Sequence, residues 1–327
     1  MTSRSTAKVV VTGGAGFIGA NLVRRLLEEG HEVVVVDDLS TGDRANLAEV
    51  EDRITFLEAT VLDAAALDAA LAGAAAVVHL AARPSVPRSI ADPIATNVAN
   101  VDGTLAVLEA ARRTAPGAQA PQVVVASSSS VYGANPVLPK REDLVPMPRS
   151  PYAASKLAAE AYALSYHHSF GLDVLVFRFF NVFGPLQPAG HAYAAVLPAF
   201  VDDALAGRPV TVHGDGTQTR DFTYVDTVTA VLADAVARRV VDDQPVNLAF
   251  GTRTDLLGVL DRLEGLLGRP VERVHGPSRA GDVPHSSADG SRLRALFPDI
   301  EPVDLEAGMA ATVDWFRARG ATGVPTA

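Results

Sequence analysis

The run that most constrains this chain is KVVVTGGAGFIG at 8–19, a β-branched strand that ends in glycines opening a helix. Gly14, Gly16 and Gly19 satisfy G-x-G-x-x-G, and Gly13, Gly16 and Gly19 equally satisfy G-x-x-G-x-x-G. Glycines at such a turn permit the tight bend and a close approach of backbone to pyrophosphate. The last one lets helix and strand pack closely, while the helix N-terminus faces the phosphates. A glycine-rich turn can also be purely structural. Here, however, the next strand, HEVVVVD, ends in Asp37, 18 residues after Gly19. That is close to the ~20 residues expected for a carboxylate that holds an adenosine ribose. A dinucleotide site is therefore predicted. Asp38 follows directly, and no Arg or Lys appears until Arg44, so a 2′-phosphate would meet two carboxylates. NAD is favoured over NADP. Thr60 and Val61, at the end of the third strand, fall beside the adenine by position.

The first half repeats the strand-then-helix alternation. Short apolar runs at 8–13, 31–37, 53–59, 76–82, 122–128 and 173–180 read as strands, and the VVVV at 33–36 suits a strand buried on both faces. Helices are predicted at 17–29, 64–72, 93–115 and 151–170. The fold class is α/β, a Rossmann-type doubly wound parallel sheet. Beyond 181, Gly- and Pro-rich loops separate helices near 192–207, 226–239, 254–268 and 304–319. This half reads as a smaller C-terminal α/β substrate lobe laid over the sheet's carboxyl edge, where open sheets bind ligands. The expected division is 1–180, the cofactor-binding domain carrying the catalytic groups, and 181–327, with some exchange of strands or helices.

Composition removes several classes. A formal charge of −10 argues against a broad basic surface for nucleic acid, so a polyanionic ligand must be met by a few local Arg residues. With no Cys there is no disulfide, thiolate metal site or Cys nucleophile. The His residues show no metal-ligand spacing with acids, and no metal is assigned. MTSRSTAK at the start has no apolar stretch for a signal peptide, and no window is long and apolar enough to span a bilayer. A soluble cytoplasmic α/β protein is expected.

SPYAASK places Tyr152 and Lys156 at i,i+4, on one face of a helix. A phenol with reference pKa near 10 is a poor base at neutral pH, and each unit of depression needs about 1.36 kcal/mol. A fixed ammonium one turn away, together with an oxidised nicotinamide ring, supplies positive potential that favours the phenolate. The chain has only three Lys, so one at this spacing is hard to ascribe to chance.

TGGAGFIG, the Tyr-x-x-x-Lys pair, SSSSVYG (127–133), NVDGT (100–104), RFFNVFG (178–184) and GDGTQTRDFTYV (214–225) occur in an order that resembles the extended short-chain dehydrogenase/reductase family. Within it they are most similar to the nucleotide-sugar 4-epimerases, over roughly 8 to 320. The resemblance implies that Tyr152 is the catalytic base, Lys156 its partner, and Ser128 the group that holds the sugar O4. It implies cofactor contacts from Gly13, Gly16, Phe17, Ile18, Gly19, Asp37, Asp38, Thr60, Val61, Leu80, Ala81, Ala82 and Asn100, besides Tyr152 and Lys156. Substrate contacts are implied for Val86, Ser128, Ser129, Tyr152, Asn181, Val196, His213, Arg220, Arg279, Asp282 and Ser286. Two of the four hydroxyls at Ser127–Ser130 are expected merely to cap backbone groups.

The reaction implied is inversion at C4 of a UDP-sugar through a transient 4-keto sugar, with NAD regenerated in each cycle. A 4,6-dehydratase would need an acid–base pair where this chain has Ser129 and Ser130. A UDP-glucuronate 4-epimerase remains the alternative. Its carboxylate would want a cation from the loop GPLQPAGHAY (184–193), which has no Arg or Lys and only His191. Ser286, four after Asp282, leaves room for a 2-acetamido group, so N-acetylhexosamines are expected beside glucose and galactose. A binding protein without turnover is the reading from another class, and an intact Ser128, Tyr152 and Lys156 argues against it. The resemblance also implies a homodimer through a four-helix bundle of 93–115 and 151–170.

Overall fold

The protein is described from a computed structural model covering residues 6–114, 119–189, 195–277 and 285–321. Two compact units are present, and neither is one continuous segment. The first takes residues up to 135, 145–179 and 229–247; the second takes 136–144, 180–228 and 248 onward. Two segments cross the division near 180: 136–144 packs with the later part of the chain and 229–247 with the earlier.

The first unit alternates β1 (Lys8–Thr12), α1 (Phe17–Glu28), β2 (Glu32–Asp37), β3 (Ile54–Glu58), α2 (Ala64–Leu71) and β4 (Ala76–His79). It continues with α3 (Val86–Ala91), α4 (Pro93–Asn97), α5 (Gly103–Arg113), β5 (Gln122–Ser128), α6 (Pro151–Phe170) and β6 (Val174–Phe179). The chain returns through α7 (Val225–Ala237) and β7 (Val246–Leu248). The seven strands lie in the order β7-β6-β5-β4-β1-β2-β3. Pairs β1–β2, β2–β3, β1–β4, β4–β5 and β5–β6 are parallel. The order reverses at β1, flanked by β2 on one side and β4 on the other, which is where such sheets open a ligand crevice. Val9, Val10, Val11, Val35 and Val36 are fully buried, as apolar strands covered on both faces must be.

Sequence patterns set the element ends. Ser150 accepts from the Ala153 N–H at 3.1 Å, Pro151 stands at the first helical position, and Gly171 closes α6 at φ 66°. The stretch expected as one helix at 93–115 is three pieces, α4, a π-turn at Val98–Asp102 and α5. Its π-turn carries Asn100 inward, and such turns recur at functional sites.

In the second unit, Phe183, Leu197, Phe200, Val201, Leu260, Leu263 and Met309 share one buried cluster. Helices Val196–Leu205, Leu256–Leu267 and Leu305–Ala321 surround short two-stranded ladders, among them Val210–His213 with Arg273–Gly276. No helix among the described residues is long and apolar enough to cross a membrane.

Candidate active site

The turn from β1 into α1 is built for backbone contact. Gly13 has φ +71°, and a Cβ there would lie 2.6 Å from the Ala81 N–H nitrogen. A Cβ on Gly19 would overlap the Gly13 carbonyl oxygen. Gly16 precedes α1 without a side-chain cap, which leaves first-turn N–H groups, those of Phe17 and Ile18 included, for an anion. Asp37 closes β2 and is buried; its carboxylate accepts from Ala15 N–H and Leu39 N–H, both at 2.9 Å. Burial pushes the carboxyl above its ordinary value while those two bonds pull it down. Asp38 is exposed and tied to Ser40, whose hydroxyl it accepts at 2.6 Å.

Around this turn the strand ends meet. Leu80 N–H donates to the Thr12 carbonyl at 3.1 Å and Ala81 N–H to the Thr12 hydroxyl at 3.3 Å, with Ala82 following. Thr60 accepts from Leu62 N–H at 3.3 Å, and Val61 is buried against Gly103. Asn100 accepts from Arg83 N–H at 2.7 Å and donates to the Ser155 hydroxyl at 2.9 Å, which joins the π-turn to α6. Val86 begins α3 directly after Ser85, whose φ of +101° is a strained backbone for a non-glycine residue.

Ser128, Tyr152 and Lys156 come together where β5 ends against the start of α6. The Ser128 side chain stands beside the Tyr152 phenol, and its hydroxyl accepts from Ser130 N–H at 3.2 Å and Ser130 Oγ at 3.0 Å. Lys156 Nζ donates to the Ala126 carbonyl at 2.9 Å. Burial lowers the Lys156 ammonium to about 8. Burial raises the Tyr152 phenol, and only the Ser128 hydroxyl opposes it. Among the protein's own groups, loss of water around the anion outweighs the hydroxyl nearby and keeps the phenol raised. Lys156 acts on His79, which burial and that charge lower to about 3. His79 lies between Thr12 at 2.8 Å and Thr104 at 3.0 Å, held neutral. Of the four serines, Ser128 itself caps the turn at Ser129–Tyr132, so one hydroxyl both caps and faces the phenol.

In the second unit, a cavity of about 220 Å³ is lined by Asn181, Val196, His213 and Arg220, with Phe183, Gln218 and Phe222. Asn181 donates to the Asp221 carbonyl at 3.0 Å, Arg220 to the Thr219 carbonyl at 2.9 Å, and His213 Nδ1 lies 3.1 Å from the Pro277 carbonyl. Ser286 joins through its N–H, 3.0 Å from the Thr219 carbonyl. Arg279, Asp282 and His191 lie outside the described residues. No group of three metal-binding side chains occurs among the described residues.

Sequence reasoning missed Ser127, Glu160 and Arg178. The Glu160 carboxylate takes Arg178 at 2.6 and 3.0 Å and the Ser127 hydroxyl at 2.9 Å, all three residues buried. Two signals were available: an Arg inside the apolar strand DVLVFRFF, and a Glu eight residues after Tyr152 on the same helix face.

A reversed parallel sheet, a glycine turn at its switch point and a Ser–Tyr–Lys cluster define a dinucleotide-dependent oxidoreductive site. Residues 9–249 match the model of the NAD dependent epimerase/dehydratase family, and the chain belongs to that family. Among its relatives, a UDP-glucose 4-epimerase of Mycolicibacterium smegmatis is 40% identical, the match covering 95% of this chain and 98% of that protein. A probable UDP-glucuronate 4-epimerase of Rhizobium meliloti is 34% identical, covering 94% and 96%. The solved UDP-N-acetylglucosamine 4-epimerase of Methanobrevibacter ruminantium M1 superposes with a TM-score of 0.89 at 35% identity, covering 96% of this chain and 99% of the other. NAD is the cofactor of the family, and the site fits it: the glycine cradle that a Cβ would fill and the buried acceptor Asp37 suit a pyrophosphate and a ribose.

Proposed function

We propose that this chain is an NAD-dependent 4-epimerase of UDP-sugars. Its substrates are UDP-glucose and UDP-galactose, with the N-acetylhexosamine counterparts accepted. The observation that carries the reading is the placing of Ser128, at the end of β5, beside the Tyr152 phenol in the first turn of α6, with Lys156 one helical turn on. Named activities of the relatives support it.

In this reading the glycine turn, Asp37, Asp38, Thr60, Val61, Leu80–Ala82 and Asn100 hold NAD. When bound, NAD supplies reversible acceptance of the hydrogen and electron pair leaving C4, and its positive ring favours the phenolate that burial alone opposes. Tyr152 takes the proton of the sugar 4-hydroxyl. Ser128, beside the phenol, holds O4 and relays that proton. Lys156 donates to the nicotinamide ribose. The 4-keto sugar turns about its diphosphate link, and Tyr152 then returns the proton at O4 with C4 inverted. Val86 and Ser129 border the sugar. Arg220 and Asn181 meet the diphosphate; Val196, His213, Arg279 and Asp282 serve the nucleotide.

Ser129 and Ser130 cannot serve as the acid–base pair of a dehydratase at neutral pH. The loop 184–193 brings no Lys or Arg to a C6 carboxylate, which supports a neutral sugar over a uronate. Ser286 leaves space at C2. We further propose a cytoplasmic homodimer packed through the helical stretch from α4 to α5 and through α6, on which Ile94, Tyr162 and Phe170 are exposed at 76%, 41% and 54%. Incubation with UDP-glucose or UDP-N-acetylglucosamine without added NAD tests the function. The C4 epimer should form; bound NAD with no epimer from any UDP-sugar would leave the protein a binder.

A further inference from the structure

Residues 152, 156 and 160 form one row on α6, and each meets a consecutive residue of β5. Tyr152 stands beside Ser128, Lys156 donates to the Ala126 carbonyl at 2.9 Å, and Glu160 accepts the Ser127 hydroxyl at 2.9 Å. Ser127 and Arg178 are direct neighbours across the β5–β6 ladder, and Glu160 receives both. Arg178 lies over the Tyr132 ring at 4.7 Å, and Tyr132 donates to Asn247 at 2.6 Å, so the carboxylate's partner is itself fixed. A buried ion pair of this kind is weak evidence for stability, since apolar replacements often serve as well. It does set register, because each charge has one acceptable partner position.

We propose that Glu160 and Ser127 are positioning residues: the bond between them fixes the end of β5 against α6 so that the Ser128 hydroxyl reaches the Tyr152 phenol. Neither touches the substrate or cofactor. Their effect passes through the main chain from Ser127 to Ser128 and along the helix from Glu160 to Tyr152. The proposal rests on the epimerase reading, and one of its two measurements needs no turnover.

Ser127→Ala removes the cross-strand anchor and leaves the Glu160–Arg178 pair intact, so the fold should survive. kcat is expected to fall about tenfold with KM within about twofold and bound NAD unchanged, the signature of a displaced reacting group. Ser127→Thr keeps the hydroxyl and should restore kcat to within about threefold of wild type. Independently of turnover, the phenol absorbance of Tyr152, obtained by difference against Tyr152→Phe, should titrate higher in Ser127→Ala, because the nearby Ser128 hydroxyl holds it down. Glu160→Gln should move both readings the same way; should it fail to fold, the Ser127 pair decides. An inactive wild type would overturn the functional reading and leave the titration to judge the positioning. An unshifted phenol, or an unchanged kcat in an active wild type, overturns the proposal, as does a kcat loss that tracks lost NAD or melting temperature.

Discussion

Lys156 Nζ and the Ala126 carbonyl are joined at 2.9 Å, so the ammonium of α6 is anchored to the strand that ends in Ser128. The anchor holds a charge in a place that disfavours it. Burial lowers Lys156 from 10.5 to about 8. Between those two values the unfolded chain keeps a proton that the folded chain has released, so folding gains as pH rises and is penalised below about 8. Lys156→Met should therefore abolish epimerisation yet raise stability near pH 7 by on the order of 2 kcal/mol, once the lost Ala126 bond is subtracted. Denaturant melts across pH 7 to 10.5 check this: the advantage should shrink as pH rises. A variant destabilised at pH 7 would show that the ammonium is stabilising where it lies.

Gly13→Ala tests the cofactor turn. The new methyl would lie 2.6 Å from the Ala81 nitrogen in a φ +71° backbone. Bound NAD in the purified protein should drop at least about tenfold and the melting temperature should fall, since neither β1 nor β4 can yield at their shared end. Absorbance of the extracted cofactor gives the stoichiometry. Full retention of NAD would contradict the assigned cradle.

Asp37→Ala should release the loop that follows β2. Its carboxylate serves Ala15 and Leu39 N–H groups at once, so the variant orphans two donors. We expect a loss of NAD affinity of at least about tenfold with no gain for NADP, because Asp38 remains. Isothermal titration with both dinucleotides reads the ratio.

These sites were legible because each is a local pattern. KVVVTGGAGFIG places strand, turn and helix in twelve residues, and Tyr152 and Lys156 are one turn apart. Most helix limits were foreseen within a few residues, as at 151–170. The π-turn at Asn100 was not: NVDGT sits in an otherwise helical run, and the bulge is imposed by Asn100 reaching Arg83 and Ser155, partners distant in sequence. Nor was the Glu160–Arg178 pair, which depends on β5 and β6 lying side by side. Which segments cross between the units, 136–144 and 229–247, was hidden for the same reason, since tertiary packing chose the partner. A raised Tyr152 phenol was likewise hidden, because burial is a property of the fold.

Asp221 offers a pH test in the second unit. It is fully buried, accepts from Thr252 Oγ and Ala288 N–H, both at 2.9 Å, and burial raises it from 3.8 to about 6. Between those values the folded chain holds a proton that the unfolded one has lost, so this group's contribution falls as pH rises from about 4 through 6. Asp221→Asn sets an amide where acceptors are needed and should cost about 1–3 kcal/mol at pH 7. It should also flatten stability between pH 4 and 6, measured by urea melts. An unchanged pH slope would show that Asp221 is not the group responsible.

The most direct test of the central claim is the rate at which UDP-glucose becomes UDP-galactose in the protein as purified, with no NAD added, for wild type and Tyr152→Phe. Wild type should carry the conversion to equilibrium over many turnovers on its own cofactor. Tyr152→Phe, which keeps the ring and loses only the hydroxyl beside Ser128, should be at least about a hundredfold slower with NAD still bound. Equal rates for the two proteins would contradict the account.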